Sequence, residues 1–123
     1  MDSLQVEGID KELAKFESIG GILGLAVVDD NGLTILSRLP RSIEERKFGA
    51  MAATILGAME TAIIPFGKDL INLTIEFEDS QLIIMSSENK IILVVLMELE
   101  IDLGFMLLEI EEILRNINNI LRG

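Results

Sequence analysis

FGAMAATILGAM, residues 48–59, carries no charged side chain in a chain that is a quarter charged overall. Its spacing predicts a helix, and a helix apolar all round needs cover on two sides. On a wheel of about 100° per residue, Phe48, Met51, Ala52, Ile55, Leu56, Met59 and Ile63 form one broad apolar face. Gly49, Ala53 and Gly57 fall opposite, at i, i+4 and i+8, with Thr54 beside them. A sheet of the same chain suits the large face. Three readings fit the small one: a partner helix, close packing on the chain's own strands, or a tolerated bland surface. A glycine inside a helix costs about 1 kcal/mol relative to alanine, which close backbone contact offsets. Self-association is therefore the first functional expectation.

Outward from this helix, Pro40 closes the preceding segment, and Ser42 with Glu45 three residues later reads as a capping box, making Ser42 the predicted N-cap. The helix is predicted to run to about Ile64, where Pro65 and Gly67 end it, a span of roughly 34 Å at ~1.5 Å per residue. Upstream, Ile9 to Ser18 predicts a short helix with Ile9, Leu13 and Phe16 on one side and Lys11, Glu12 and Lys15 on the other. Gly20-Gly21 stops it. Ile22 to Val28 and Leu33 to Ser37 predict two strands joined by the tight turn Asp29-Asp30-Asn31-Gly32. Downstream, Ile71 to Phe77, Leu82 to Ser86 and Ile91 to Met97 predict three strands, with links short enough for an antiparallel meander. Leu103 to Leu121 predicts a last helix, with Glu109, Glu111, Glu112, Arg115 and Asn118 on its outer side.

The strand patterns fix the layers. Ile22 to Val28 and Ile91 to Met97 are apolar on both faces, as strands covered on both sides must be. Ile71, Leu73, Ile75 and Phe77 instead alternate with polar residues, which predicts a half-exposed edge strand without a protecting lysine or proline. That edge suits either water or the same strand of a second copy. The fold expectation is α+β, in the order α-β-β-α-β-β-β-α. The sheet is sandwiched between the long helix on one face and the first and last helices on the other.

The chain has 123 residues, the size of a single domain spanning 1–123, with 21 acidic against 10 basic side chains and a net charge of -11. Nucleic acid is disfavoured as a partner, because phosphate contacts need clustered Lys and Arg. Cysteine and histidine are both absent, which removes the residues of thiol catalysis, nucleophilic triads, proton shuttles and zinc sites. Paired carboxylates such as Glu44/Glu45 and Glu111/Glu112 lie on predicted helix exteriors and read as solvated faces. The Asp29 turn lacks the later ligands of a calcium loop, and Gly20, Gly21 and Gly24 lead into a strand without a following Gly-Lys-Ser/Thr. No enzyme activity, cofactor or metal is expected. The first ten residues have no secretion-signal pattern, and the apolar stretch from Phe48 to Phe66 is interrupted by Glu60 and Pro65. A cytoplasmic location without a membrane span is the expectation.

Taken together, ILGLAVVDDNGLTIL, FGAMAATILGAM, INLTIEFEDSQLIIMSS, IILVVLM and DLGFMLLEIEEIL resemble the roadblock/dynein light chain family over nearly the whole chain. The resemblance implies a five-stranded antiparallel sheet with one long helix on one face and two on the other, a profilin-like three-layer sandwich. It also implies a homodimer that joins third strands edge to edge and packs long helices together. On this chain the interface would comprise Gly49, Ala53, Thr54, Gly57, Ile71, Leu73, Ile75 and Phe77. Bacterial and archaeal members of the family resemble regulators or platforms for Ras-like small GTPases, and eukaryotic members serve as dynein or signalling-scaffold subunits. The expected function is thus a non-catalytic homodimeric regulator or scaffold that binds a Ras-like small GTPase. The alternatives are a dynein-light-chain-like structural adaptor and a small-molecule sensor domain.

Overall fold

Three neighbouring strands have no face that tolerates water, and the architecture is arranged around them. The structure, a computed structural model, describes Met1–Gly123. In chain order the elements are α1 (Ser3–Glu17), β1 (Ile22–Asp29), β2 (Thr34–Arg38), α2 (Glu45–Ala62), a 3-10 turn (Ile64–Phe66), β3 (Leu73–Glu76), β4 (Ser80–Ser86), β5 (Ile91–Glu98) and α3 (Leu103–Arg122). The strands form one five-stranded sheet in the order β2-β1-β5-β4-β3, with every pair antiparallel. The expected order of elements and the three layers are both present.

The period of two along each strand sorts the core into two halves. Leu25 and Val27 of β1, Ile83 and Met85 of β4, and Leu93 and Val95 of β5 face α1 and α3. Ala26 and Val28, Leu82 and Ile84, and Ile92 and Val94 face α2. Each fully buried aliphatic side chain contributes about 1.5–3 kcal/mol, so both helical layers are needed to keep the sheet dry. β4 is a third interior strand, starting at Ser80 rather than Leu82 and buried through Met85. Ile71 and Phe77 flank β3 instead of belonging to it, and Phe77 N–H donates to the Ser80 carbonyl at 2.7 Å across the turn into β4.

The tight turn between β1 and β2 forms as expected. The Asp29 carboxylate accepts from the backbone N–H of Asn31 and Leu33, and Gly32 takes the left-handed conformation with φ 87°. Other local expectations fail for identifiable reasons. Ser42 is not the cap of α2: the Pro40 carbonyl accepts from Ile43 N–H and closes a turn there, so the helix begins after Glu44 without a side-chain cap. The reciprocal capping box belongs to α1, where Asp2 accepts from Gln5 N–H and the Gln5 side chain accepts from Asp2 N–H. That start adds residues from Ser3 onward to the predicted first helix. Pro65 and Gly67 end α2 as expected, through the 3-10 turn, with Gly67 at φ 62°.

Glu12, placed by pattern on an exposed side, is buried between α1 and α3. Its carboxylate accepts from Asn116 Nδ2 at 2.7 Å and pairs with Lys15 Nζ at 3.0 Å. Arg38 likewise ties the edge strand β2 to α1, donating to Asp10 at 2.9 Å and Glu17 at 2.8 Å. The hydrogen bond to Asp10 is the main reason its guanidinium titrates above its ordinary value.

Asn116→Leu removes the neutral partner of Glu12 and is expected to lower the unfolding free energy by about 1–3 kcal/mol in urea titration. Adding Glu12→Met, which removes the stranded carboxylate as well, is expected to recover most of that loss.

Candidate interaction face on the long helix and the open strand edge

α2 sits on the sheet through Phe48, Gly49, Ala52 and Leu56, all buried, with Met51, Ile55 and Ile63 half-buried beside them. Gly49 is therefore not on the outer face, where the wheel placed it. A Cβ there would run into Thr34 Oγ1, whose hydroxyl bonds to the Glu45 carbonyl, and would lie 3.1 Å from the Gly32 carbonyl oxygen. The glycine lets the helix rest directly on the β1–β2 hairpin. Gly57, two turns on, is the opposite case: a Cβ added there meets nothing within 4 Å.

The exposed stripe of α2 consists of Ala50, Thr54, Gly57, Ala58 and Thr61, with Ala53 half-buried at its margin. Thr54 and Thr61 donate their hydroxyls back to the carbonyls of Ala50 and Gly57, at 2.8 and 3.0 Å, so the surface offers few free polar groups. Glu45–Phe66 is long and apolar enough to cross a membrane by length and composition, and only 17 % of its most apolar window is buried. The structure uses it to cover the sheet and leaves its other side bare.

This bare side continues into a second exposed feature. Beyond α2, Ile64 and Phe66 are 71 % and 70 % exposed, and Ile71 is 64 % exposed. Ile63, Phe66, Leu70 and Ile71 line a shared hollow there. β3 follows at the sheet edge, paired on one side to β4 and open on the other. Leu73 and Ile75 point under α2 and pack against its half of the core, so what they offer outward is backbone. Ile71 and Phe77 keep their side chains outside.

Of the expected interface residues, the structure places Thr54, Gly57, Ile71 and Phe77 outward and Ala53 at the margin. It places Leu73 and Ile75 on an open backbone edge and Gly49 inward. Sequence reasoning missed Ala50, Ala58, Ile64 and Phe66. Centring the wheel on Phe48, Ala52 and Leu56 as the buried line, instead of on the whole apolar face with Met51, Ile55 and Met59, would have found the first two. A cleft of about 330 Å³ opens beside Gly57, walled by Asp30, Glu60, Ser87 and Lys90. No group of carboxylates is placed to hold a metal ion.

Gly49→Ala brings an overpacking cost of about 1–3 kcal/mol against a gain of up to ~1 kcal/mol in helix propensity. A net loss on the order of 1 kcal/mol in thermal or urea unfolding is expected, smaller in a Thr34→Ala background.

Comparison with known proteins follows the same lines. Residues 8–97 match the Roadblock/LC7 domain family. An uncharacterised protein of Methanocaldococcus jannaschii is 33 % identical over 96 residues, covering 78 % of this chain and 84 % of that protein. Among solved structures, Myxococcus xanthus MglB superposes with a TM-score of 0.90 at 19 % identity, covering 99 % of this chain and 93 % of that one. A Roadblock/LC7 domain from Streptomyces avermitilis gives a TM-score of 0.84 at 16 % identity, covering 93 % and 98 %. With its sandwich of helices on a five-stranded sheet and the match over most of its length, this chain belongs to the Roadblock/LC7 domain family.

Proposed function

We propose that two copies of this chain associate through the open edge of β3 and the outer side of α2, and that the composite surface binds a Ras-like small GTPase. The protein acts there as a regulator or scaffold in the cytoplasm, without catalysing chemistry itself. The observation that carries the first part is the continuity of two unmet needs: an apolar helix bare on one side and, next to it, an unpaired strand edge flanked by Phe66, Ile71 and Phe77. A two-fold axis beside β3 would satisfy both at once, since an isologous contact presents the same edge and helix from each copy. The second part is supported by membership of a family whose bacterial and archaeal members resemble platforms for such GTPases. Stimulation by repositioning the GTPase's own residues would require no catalytic set on this chain.

The open edge also favours a second reading, a light-chain-like adaptor that takes up an extended segment as an added strand. Nucleotide dependence separates the two. A sensor role has less support, because the cleft beside Gly57 is walled largely by charged and polar side chains rather than by an apolar lining.

Sedimentation at micromolar concentration is expected to show a dimer. Gly57→Leu is expected to weaken it by about tenfold or more, while the helix itself gains up to ~1 kcal/mol from losing a glycine. A monomeric parent, or a dimer indifferent to Leu at this position, would remove the interface. For the partner, recovery of a small GTPase from extract of the source cells is expected to differ between GTP-loaded and GDP-loaded conditions. Equal binding in both states favours the adaptor.

A further inference from the structure

α3 carries apolar side chains that its own fold does not use. Met106, Ile110, Ile113, Leu114 and Ile117 face the core, but Phe105 is 47 % and Leu108 67 % exposed. Three residues apart, the two stand on neighbouring positions of the outer surface, in the layer opposite α2. Gly104, four residues before Leu108, leaves bare backbone beside it, since a Cβ there would touch only Asp102 Oδ1, at 3.4 Å.

The charge around this pair is mainly negative, with Arg115 following Glu111 and Glu112 on the outer side of the helix. From Ile91 to Leu114 there is no lysine or arginine, whereas Glu98, Glu100, Asp102, Glu109, Glu111 and Glu112 all fall in that stretch. Glu109 and Glu112 lie one turn beyond Phe105 and Leu108 on the same side of the helix. The cation lining the groove between them and α1 is Lys15, which is paired with Glu12.

Charge complementarity selects the occupant. A second copy placed face to face here would set the same carboxylates, Glu109 and Glu112, against each other. An anionic membrane surface or a nucleic acid would be repelled in the same way. We propose that this face of α3 docks a basic amphipathic segment of another protein. Its apolar side chains pack on Phe105 and Leu108, and its lysines and arginines meet Glu109 and Glu112. Because the face lies across the sheet from α2, it can be occupied while the other surface is engaged.

The test uses the full chain and a fluorescein-labelled amphipathic Lys/Leu peptide, with a Glu/Leu peptide as control, in fluorescence anisotropy at physiological salt. Binding of the basic peptide alone is expected. Phe105→Ser with Leu108→Ser is expected to weaken it by about tenfold. Glu109→Gln with Glu112→Gln is expected to weaken it several-fold, whereas the charge-matched pair Glu60→Gln with Asp69→Asn, on the opposite layer, leaves it unchanged. Equal loss from both charge pairs, with no effect of the serine variant, would reduce the binding to diffuse attraction and overturn the proposal. So would a fall in self-association for the serine variant by sedimentation, or its selective loss of binding to phosphatidylserine vesicles.

Discussion

Everything in this structure depends on a sheet whose three inner strands are dry on both faces. β1, β5 and β4 lie side by side, and their buried runs include Leu25 to Val28, Ile91 to Val95 and Leu82 to Met85. An antiparallel sheet often turns one side to water; this one has no side to give. Two helical layers are the consequence, and the connections follow from them. Hairpin turns suffice where the chain stays in the sheet, and a full-length helix intervenes between β2 and β3, at opposite edges.

The two layers meet that demand differently. α1 and α3 pack as a pair, locked by Ile9, Leu13 and Phe16 against Met106, Ile110 and Ile117, with Glu12 and Asn116 hydrogen-bonded between them. α2 works alone and needs closeness instead of bulk. Gly49 resting on Gly32 and Thr34, and Ala52 in the same half-core as Ala26, bring its axis near the strands. A single helix cannot enclose itself, so what it gains on one side it leaves exposed on the other.

The parts of this fold legible in the sequence are those governed by local pattern. Continuous apolar runs identified β1 and β5, Asp29 to Gly32 identified the turn, and the spacing from Leu103 to Leu121 identified α3. Two of the misreadings have a non-local origin and one a local origin. Glu12 looks like a solvated acid until Asn116, far along the chain, comes to meet it. Ser42 with Glu45 has the spacing of a capping box, but the Pro40 carbonyl closes its turn first. Gly49 and Gly57 are the same residue type on the same helix, yet one is buried against a hairpin and the other is open. Composition cannot distinguish them; only the phase set by Phe48, Ala52 and Leu56 can. The candidate face was legible as a region, through the small residues and the alternating β3, while Ile64 and Phe66 were hidden inside what read as punctuation around Pro65.

The two margins of the sheet are unlike. β2 is fastened to α1 by the paired carboxylates on Arg38 and runs into Pro40, which has no N–H to donate, whereas β3 has neither a proline nor a lysine. A sheet with two adhesive margins can add copies without limit and grow into a fibre. One with a single adhesive margin stops after the first addition, because joining like to like leaves only fastened margins outside. If two copies join at β3, as proposed, the Arg38 clasp lies at both outer margins of the shared sheet, where it ties each β2 to its own α1.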